Sequence, residues 1–95
     1  MHPNKEIFTD KAEMLGLLAN PVRLCIVYGL YKSGTRCVGE IQGCVNVPQS
    51  SVSQHLAKLR SAGIVRSERH ANEVYYELVN EEVRLLIQQM FGDIH

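Results

Sequence analysis

The chain has 95 residues, of which 45% are hydrophobic and 21% charged, so it is apolar enough to fold but short enough that we expect one domain over residues 1–95. Ten basic residues balance ten acidic ones, so net charge indicates neither a nucleic acid nor a membrane partner. The three cysteines are an odd number, no signal peptide is recognisable, and no apolar run reaches the roughly 18 residues of a membrane span, so we expect a cytoplasmic protein with no membrane partner.

The charges are distributed unevenly along the chain. Residues 21–36 carry three basic side chains and no acidic one, and residues 50–76 carry four basic side chains against two acidic ones. From residue 77 onward four acidic side chains stand against one basic side chain. The middle of the chain is therefore its basic part, and the last helix is its acidic part.

The first two predicted elements are helices. Residues 6–18 place apolar side chains at helical spacing, which indicates an amphipathic helix. Asn20 followed by Pro21 is typical of a helix start, because asparagine caps the first turn and proline has no N–H to lose there. This second helix is expected to end at Gly34. Its inward side chains are expected to be Leu24, Val27 and Tyr28.

A short third helix and a longer fourth helix follow. Thr35 is the expected cap of the third helix, which should stop around Gly43. Pro48 suits the first turn of the fourth helix, which we place over residues 49–61. Its core-facing side chains, spaced i, i+4 and i+7, are expected to be Val52, Leu56 and Leu59.

The pattern changes from helical to alternating at Ile64, which predicts two strands within residues 64–79. We expect a three-residue turn over residues 71–73, with Asn72 taking the positive φ. Asn80 then caps a last helix over residues 80–91. Four helices, a β-hairpin and a fifth helix predict a mainly α fold with a small β-hairpin, organised as a winged helix-turn-helix.

The outward face of the fourth helix is polar and becomes basic toward its end. Glutamine and serine near a helix start can reach base edges in the major groove, and cations further along suit phosphates. Arg66 and Arg69 on the hairpin add positive charge beside it. A solvated polar face and a winged helix used only for protein contacts are the alternatives. The candidate DNA-binding residues on this helix are Gln49, Ser50, Ser51, Ser53, Gln54, His55 and Lys58.

Four segments between Leu18 and Leu78 together resemble the ArsR/SmtB family of winged helix-turn-helix repressors. They are LANPVRLCIVYGL, CVGEI, VPQSSVSQHLAKLRSAGIV and EVYYEL. The resemblance implies a homodimer, built from the first and last helices, that binds double-stranded operator DNA and releases it on meeting an inducer. Apolar stripes within residues 7–18 and 83–90 independently exceed what a chain this short can hide. No catalytic arrangement of cysteine and histidine is present, so we do not expect an enzyme.

The family's DNA-reading positions fall on Gln49, Ser50, Ser53 and Gln54, with Val38 at the start of the third helix close to the DNA backbone. Two features depart from the family pattern. Pro48 stands where a capping serine or threonine is common. The wing tip RHANEV lacks the usual glycine and arginine, so Glu73 is expected to weaken its phosphate contact.

The inducer is not determined by the sequence, and no cofactor is certain. The family's zinc positions match Asn80, Glu82 and Asp93, which offer no imidazole, so a zinc sensor of that design is not expected. In the family's Cys-Val-Cys metalloid motif only Cys37 remains. Cys44 lies about two helical turns away, too far to share an ion with it.

Cys25 is the thiol best placed to react. It lies within about one turn of the start of the second helix, near Arg23, and both features favour the thiolate. An inert cysteine is the alternative. We expect oxidants or persulfides to release DNA through Cys25 with Cys37 or Cys44 as partner, and the alternatives are a metal or metalloid ion bound by cysteines or by carboxylates and histidines.

Overall fold

The computed structural model describes residues 5–92, which form five helices and three short strands. The predicted mainly helical fold with a β-hairpin is confirmed. The described elements are α1 Lys5–Leu18, α2 Pro21–Ser33, β1 Arg36–Cys37, α3 Val38–Val45, α4 Gln49–Ser61, β2 Val65–His70, β3 Glu73–Leu78 and α5 Glu81–Phe91.

Asparagine caps begin two of the helices, as the sequence predicts. The side-chain oxygen of Asn20 accepts from the backbone N–H groups of Val22 and Arg23, at 2.9 and 3.1 Å. The side-chain oxygen of Asn80 accepts from the N–H of Val83 at 2.9 Å. Each cap satisfies N–H groups that the helix itself leaves without a partner, so the starts of α2 and α5 are fixed locally.

The predicted start of the third helix at Thr35 is wrong. Arg36 and Cys37 instead form strand β1, which pairs antiparallel with β3 through Tyr76 and Tyr75. The predicted two-stranded wing is therefore part of a three-stranded sheet in the order β1-β3-β2. A strand of two residues is too short to show an alternating pattern in the sequence. It forms only because the neighbouring strand offers it hydrogen bonds.

Helix α3 also ends later than predicted. It continues past Gly43 to Val45 and closes at Asn46, whose φ of 55° lies in the left-handed region. Asparagine accepts this conformation more readily than most residues, so it can replace glycine as the end of a helix. The later end leaves only residues 46–48 between α3 and α4.

The hairpin turn is tighter than predicted. Its register pairs His70 with Glu73, which leaves Ala71 and Asn72 as a two-residue turn. The positive φ of 58° falls on Ala71, so its assignment to Asn72 is wrong. Strand β3 begins at Glu73, one residue earlier than predicted. The turn is therefore shorter, and the residue with a positive φ is a different one.

One apolar core joins the helices to the sheet. Val52, Leu56 and Leu59 of α4 are fully buried, as predicted. The inward face of α2 is rotated relative to the prediction, because Ile26, Val27 and Leu30 are buried, while Leu24 and Tyr28 are only half-buried. The ring of Tyr28 packs against Phe91 of α5, with centroids 5.1 Å apart.

Within residues 5–92, no single helix is long and apolar enough to cross a membrane. The pair α1 and α2 meets the length and composition test together, but the two helices are bent by 91° at the break between them.

Candidate nucleic-acid interface

The buried stripe of α4 determines which of its side chains face outward. Because Val52, Leu56 and Leu59 point into the core, the remaining positions form a polar outer surface. Ser51 and His55 are half-buried at the edge of this surface. The exposed candidates are Gln49, Ser50, Ser53, Gln54 and Lys58.

The start of α4 has no side-chain cap. Pro48 occupies the cap position with φ −58° and ψ 149°, and its carbonyl oxygen accepts from the N–H groups of Ser51 and Val52, at 3.0 and 3.1 Å. The earliest N–H groups of the helix are left to an acceptor outside it. A helix start of this kind attracts anions, and a DNA phosphate is one such acceptor.

Only residues 46–48 separate α3 from α4, so the two helices lie next to each other. Val38 is the first residue of α3 and is half-buried against the core. It is therefore partly accessible at the start of the helix that precedes α4.

His55 is held by an arginine from another helix. The Nε of Arg23 donates to Nδ1 of His55 at 3.2 Å, and Nη1 of Arg23 donates to the carbonyl oxygen of Leu17 at 3.2 Å. Burial lowers the pKa of His55, and the positive charges of Arg23 and Lys58 lower it further. A ring that accepts at Nδ1 carries its proton on Nε2, so this histidine is neutral near pH 7.

The two arginines predicted to strengthen the wing lie on opposite faces of it. Successive side chains of a strand alternate between faces, so Arg66 and Arg69, three residues apart, cannot share one. The guanidinium of Arg66 lies 2.8 Å from a carboxylate oxygen of Glu77. Ser67 accepts a hydrogen bond from Arg60 of α4 at 3.3 Å, which places the Ser67 and Arg69 face toward α4.

The other face of the wing is largely acidic. Glu68 lies 3.6 Å from His70, and the hydroxyl of Tyr75 donates to Glu73 at 3.0 Å. That hydrogen bond and the negative charge of Glu73 raise the pKa of Tyr75. This face repels phosphates, so Arg69 is the wing cation better placed to meet DNA.

The cysteines occupy different environments. Cys25 is exposed and lines a groove of about 240 Å³ between α2 and α3, with Arg36 and Glu40 at the same groove. Cys37 is buried as the residue before α3, and its N–H donates to Glu40 at 3.1 Å. That bond, the Cys37 thiol and Arg36 hold the pKa of Glu40 below its usual range. The side chain of Cys44 lies outside the described part of the chain.

The positions that match the family's zinc site have other partners here. Asn80 caps α5, Glu82 lies 2.7 Å from Lys11 of α1, and Asp93 lies outside the described residues. Among the described side chains, which do not include that of Cys44, no group of three or more histidine, cysteine or acidic residues is arranged to hold a metal ion.

Helices α1 and α5 both expose apolar side chains, here together called the α1/α5 face, beyond the core that they help to form. Lys11 and Glu82 join the two helices through an ion pair on their outer side. Surfaces of this kind mark contacts between proteins. Its exposed members are Ile7, Phe8, Leu15, Leu85 and Met90, each at least half exposed.

Sequence reasoning missed the Arg23–His55 contact, the Arg60–Ser67 contact and the Lys11–Glu82 pair. Their partners are separated by 32, 7 and 71 positions. Periodicity within one helix or strand carries no signal for contacts between elements.

The helix pair α3 and α4, followed by a hairpin packed against α4, defines the winged helix-turn-helix class of DNA-binding proteins. Comparison with known proteins identifies the family. Residues 20–67 match the bacterial regulatory protein, arsR family. The chain belongs to the ArsR family, whose members are transcriptional regulators rather than enzymes, as the sequence predicts.

Relatives and solved structures agree with this assignment. The repressor SmtB of Mycobacterium tuberculosis is 42% identical over 90% of this chain, which spans only 62% of that protein's length. The structure of the repressor PagR of Bacillus anthracis superposes with a TM-score of 0.81 at 37% identity, over 92% of this chain and 99% of PagR. A homodimeric winged helix-turn-helix DNA-binding domain from Mycobacterium bovis gives a TM-score of 0.78 at 25% identity, over 96% and 91% of the two chains.

Proposed function

We propose that this protein is a dimeric transcriptional repressor of the ArsR/SmtB type that binds operator DNA through α4. The observation that carries the proposal is the exposed polar surface at the start of α4, held outward by a fully buried stripe. Gln49, Ser50, Ser53 and Gln54 read base edges there, while the uncapped helix start and Lys58 meet phosphates. A repressor of this kind acts on DNA in the cytoplasm.

The dimer forms through the α1/α5 face. Two copies related by a two-fold axis bury this face and present two copies of α4 to successive major grooves. The Mycobacterium bovis domain of the same fold is homodimeric, which supports this arrangement. Because such a dimer has two-fold symmetry, its operator is expected to be an inverted repeat.

The DNA-binding proposal is tested by fluorescence anisotropy with a palindromic fragment from upstream of the protein's own gene. We expect tight binding at low salt and about 10-fold to 100-fold weaker binding for Gln49→Ala with Gln54→Ala, because each base contact contributes discrimination. Ser33→Ala, an exposed polar residue at the end of α2, is the control. Absence of binding by the unaltered protein at low salt, where phosphate attraction is strongest, would overturn the proposal.

Release of DNA is proposed to begin at Cys25, because this thiol is exposed while Cys37 is buried. An oxidant converts the Cys25 thiol to a sulfenic acid, or a persulfide donor converts it to a cysteine persulfide. A second thiol then displaces water or hydrogen sulfide, respectively, and forms a disulfide. The two thiols together lose two protons and two electrons, which the oxidant accepts. Cys37 or Cys44 is the proposed partner.

The release proposal is tested with Cys25→Ser. Operator affinity should be unchanged in this variant, while persulfide or peroxide should no longer weaken it. Cys37→Ser and Cys44→Ser identify the partner by mass spectrometry of the treated protein. Oxidant-induced release that persists in Cys25→Ser contradicts the proposal. Release by a divalent metal in a variant without cysteines would assign sensing to carboxylates and histidines instead.

A further inference from the structure

The side chain of Arg23 joins three helices through one guanidinium. Arg23 lies in the first turn of α2, and its backbone N–H is fixed by the Asn20 cap at 3.1 Å. Its Nη1 donates to the carbonyl oxygen of Leu17, in the last turn of α1, and its Nε donates to His55 in the middle of α4. Both distances are 3.2 Å, within hydrogen-bonding range.

Each of the two acceptors belongs to an element with a different proposed role. The carbonyls in the last turn of a helix lack a partner within the helix, so the bond to Leu17 holds the end of α1. Helix α1 carries Ile7, Phe8 and Leu15 of the α1/α5 face. His55 lies one residue after Gln54 and three before Lys58, on the edge of the α4 surface. Arg23 therefore ties the proposed dimer helix to the proposed reading helix.

We propose that Arg23 is a positioning residue for DNA binding, which sets the orientation of α4 relative to α1 by donating to Leu17 and His55 together. The inference rests on the proposed DNA-binding function. In a dimer that reads two major grooves, the spacing of the two α4 helices depends on how each is fixed to the dimer helices. Loss of these two hydrogen bonds leaves the protein folded and dimeric, but both copies of α4 are then wrongly placed for the major grooves.

The alternative role for Arg23 is direct contact with a phosphate. The two roles can be distinguished by substitution, because only the positioning role requires the planar, forked guanidinium. A lysine retains the charge for a phosphate but cannot donate in two fixed directions. If Arg23 is a positioning residue, the variants Arg23→Lys and Arg23→Gln should each bind the operator about 10-fold more weakly, since neither side chain can donate to Leu17 and His55 together. The slope of log affinity against log salt should not change, because no phosphate contact is lost.

Conservative replacement of His55 supplies a readout that a simple loss of stability would not give. The side-chain oxygen of asparagine can accept near the position of Nδ1, so His55→Asn should retain more operator affinity than His55→Leu. His55→Leu removes the acceptor and should lose about 10-fold. The double variant Arg23→Gln with His55→Leu should be no weaker than Arg23→Gln alone, because the arginine change already removes the contact with His55.

Anisotropy over a salt series gives the affinities, and sedimentation and circular dichroism check that each variant is dimeric and folded. Wild-type affinity in Arg23→Lys with loss only in Arg23→Gln, a changed salt slope, or additive losses in the double variant would overturn the inference. If the Arg23 variants do not fold, equal affinities of His55→Asn and His55→Leu overturn it by themselves. Failure of the unaltered protein to bind DNA would instead overturn the proposed function.

Discussion

Arg66 and Glu77 face each other across the β2–β3 hairpin, with Nη2 of Arg66 2.8 Å and Nε 2.9 Å from one carboxylate oxygen of Glu77. Arg69 lies three positions further along β2, on the opposite face, and has no ion-pair partner within residues 5–92. The wing therefore holds one cation that is already neutralised and one that is not.

This difference predicts unequal losses when each arginine is removed. Arg69→Ala should weaken operator binding and reduce the salt slope by about 0.9, the value for one phosphate contact. Arg66→Ala should change both quantities less, because Glu77 already compensates its charge. Glu77→Gln, which frees Arg66, should strengthen binding. Anisotropy at several salt concentrations measures all three, and a larger loss for Arg66→Ala than for Arg69→Ala contradicts the assignment.

Substitution of Leu85 tests whether the dimer forms through the α1/α5 face. Its side chain is 56% exposed, so a charge there costs the isolated chain little. In a dimer interface the same charge would be buried without a partner, at a cost of several kcal/mol. Leu85→Glu should therefore sediment as a folded monomer and lose operator affinity at least 10-fold.

The control for this variant is Ser33→Glu, which adds the same charge at the exposed end of α2, outside the α1/α5 face. It should remain dimeric. A dimeric Leu85→Glu protein would show that the two copies do not meet through this face.

Ala71 carries a positive φ of 58° at the hairpin turn, which costs an L-residue about 1–2 kcal/mol. Glycine has no such penalty, although it loses about 0.5–1 kcal/mol through greater freedom in the unfolded chain. Ala71→Gly should therefore raise the free energy of unfolding by about 0.5–1 kcal/mol.

Urea unfolding at one fixed protein concentration measures this change, since dimer formation makes stability concentration-dependent. Asn72→Gly is the matched control and should not stabilise the protein, because Asn72 does not have a positive φ. Stabilisation by Asn72→Gly and not by Ala71→Gly would place the strained residue at the other turn position.

His55 predicts a loss of stability in mild acid. Its pKa is lowered in the folded state, chiefly by burial and then by Arg23 and Lys58, so the unfolded chain binds the proton more readily. The stabilisation is complete above the unfolded pKa of about 6.5 and is lost as the pH falls through the lower folded value. Protonated Nδ1 also cannot accept from Arg23.

Urea midpoints between about pH 7.5 and pH 5 should therefore fall more steeply for the unaltered protein than for His55→Asn, which does not titrate in this range. All other titrating groups are shared by the two proteins and cancel in the comparison. Parallel pH profiles would show that His55 is not responsible for the acid sensitivity.

The sequence determined the features that depend on local chemistry. Asn20 and Asn80 predict the starts of α2 and α5, because a capping side chain bonds to backbone N–H groups within three residues of itself. The stripe Val52, Leu56 and Leu59 fixed α4 because the helical period is set by backbone geometry. The family resemblance arises from the same local patterns, and the family assignment agrees with it.

Only the tertiary structure decided how these elements meet. Strand β1 exists because β3 offers it hydrogen bonds, and the pairing of His70 with Glu73 moved the positive φ to Ala71. The faces of Arg66 and Arg69 and the reach of Arg23 to His55 depend on register and on helix packing. Such contacts join residues far apart in the chain, and their geometry follows from the packed arrangement of all the elements rather than from any one segment.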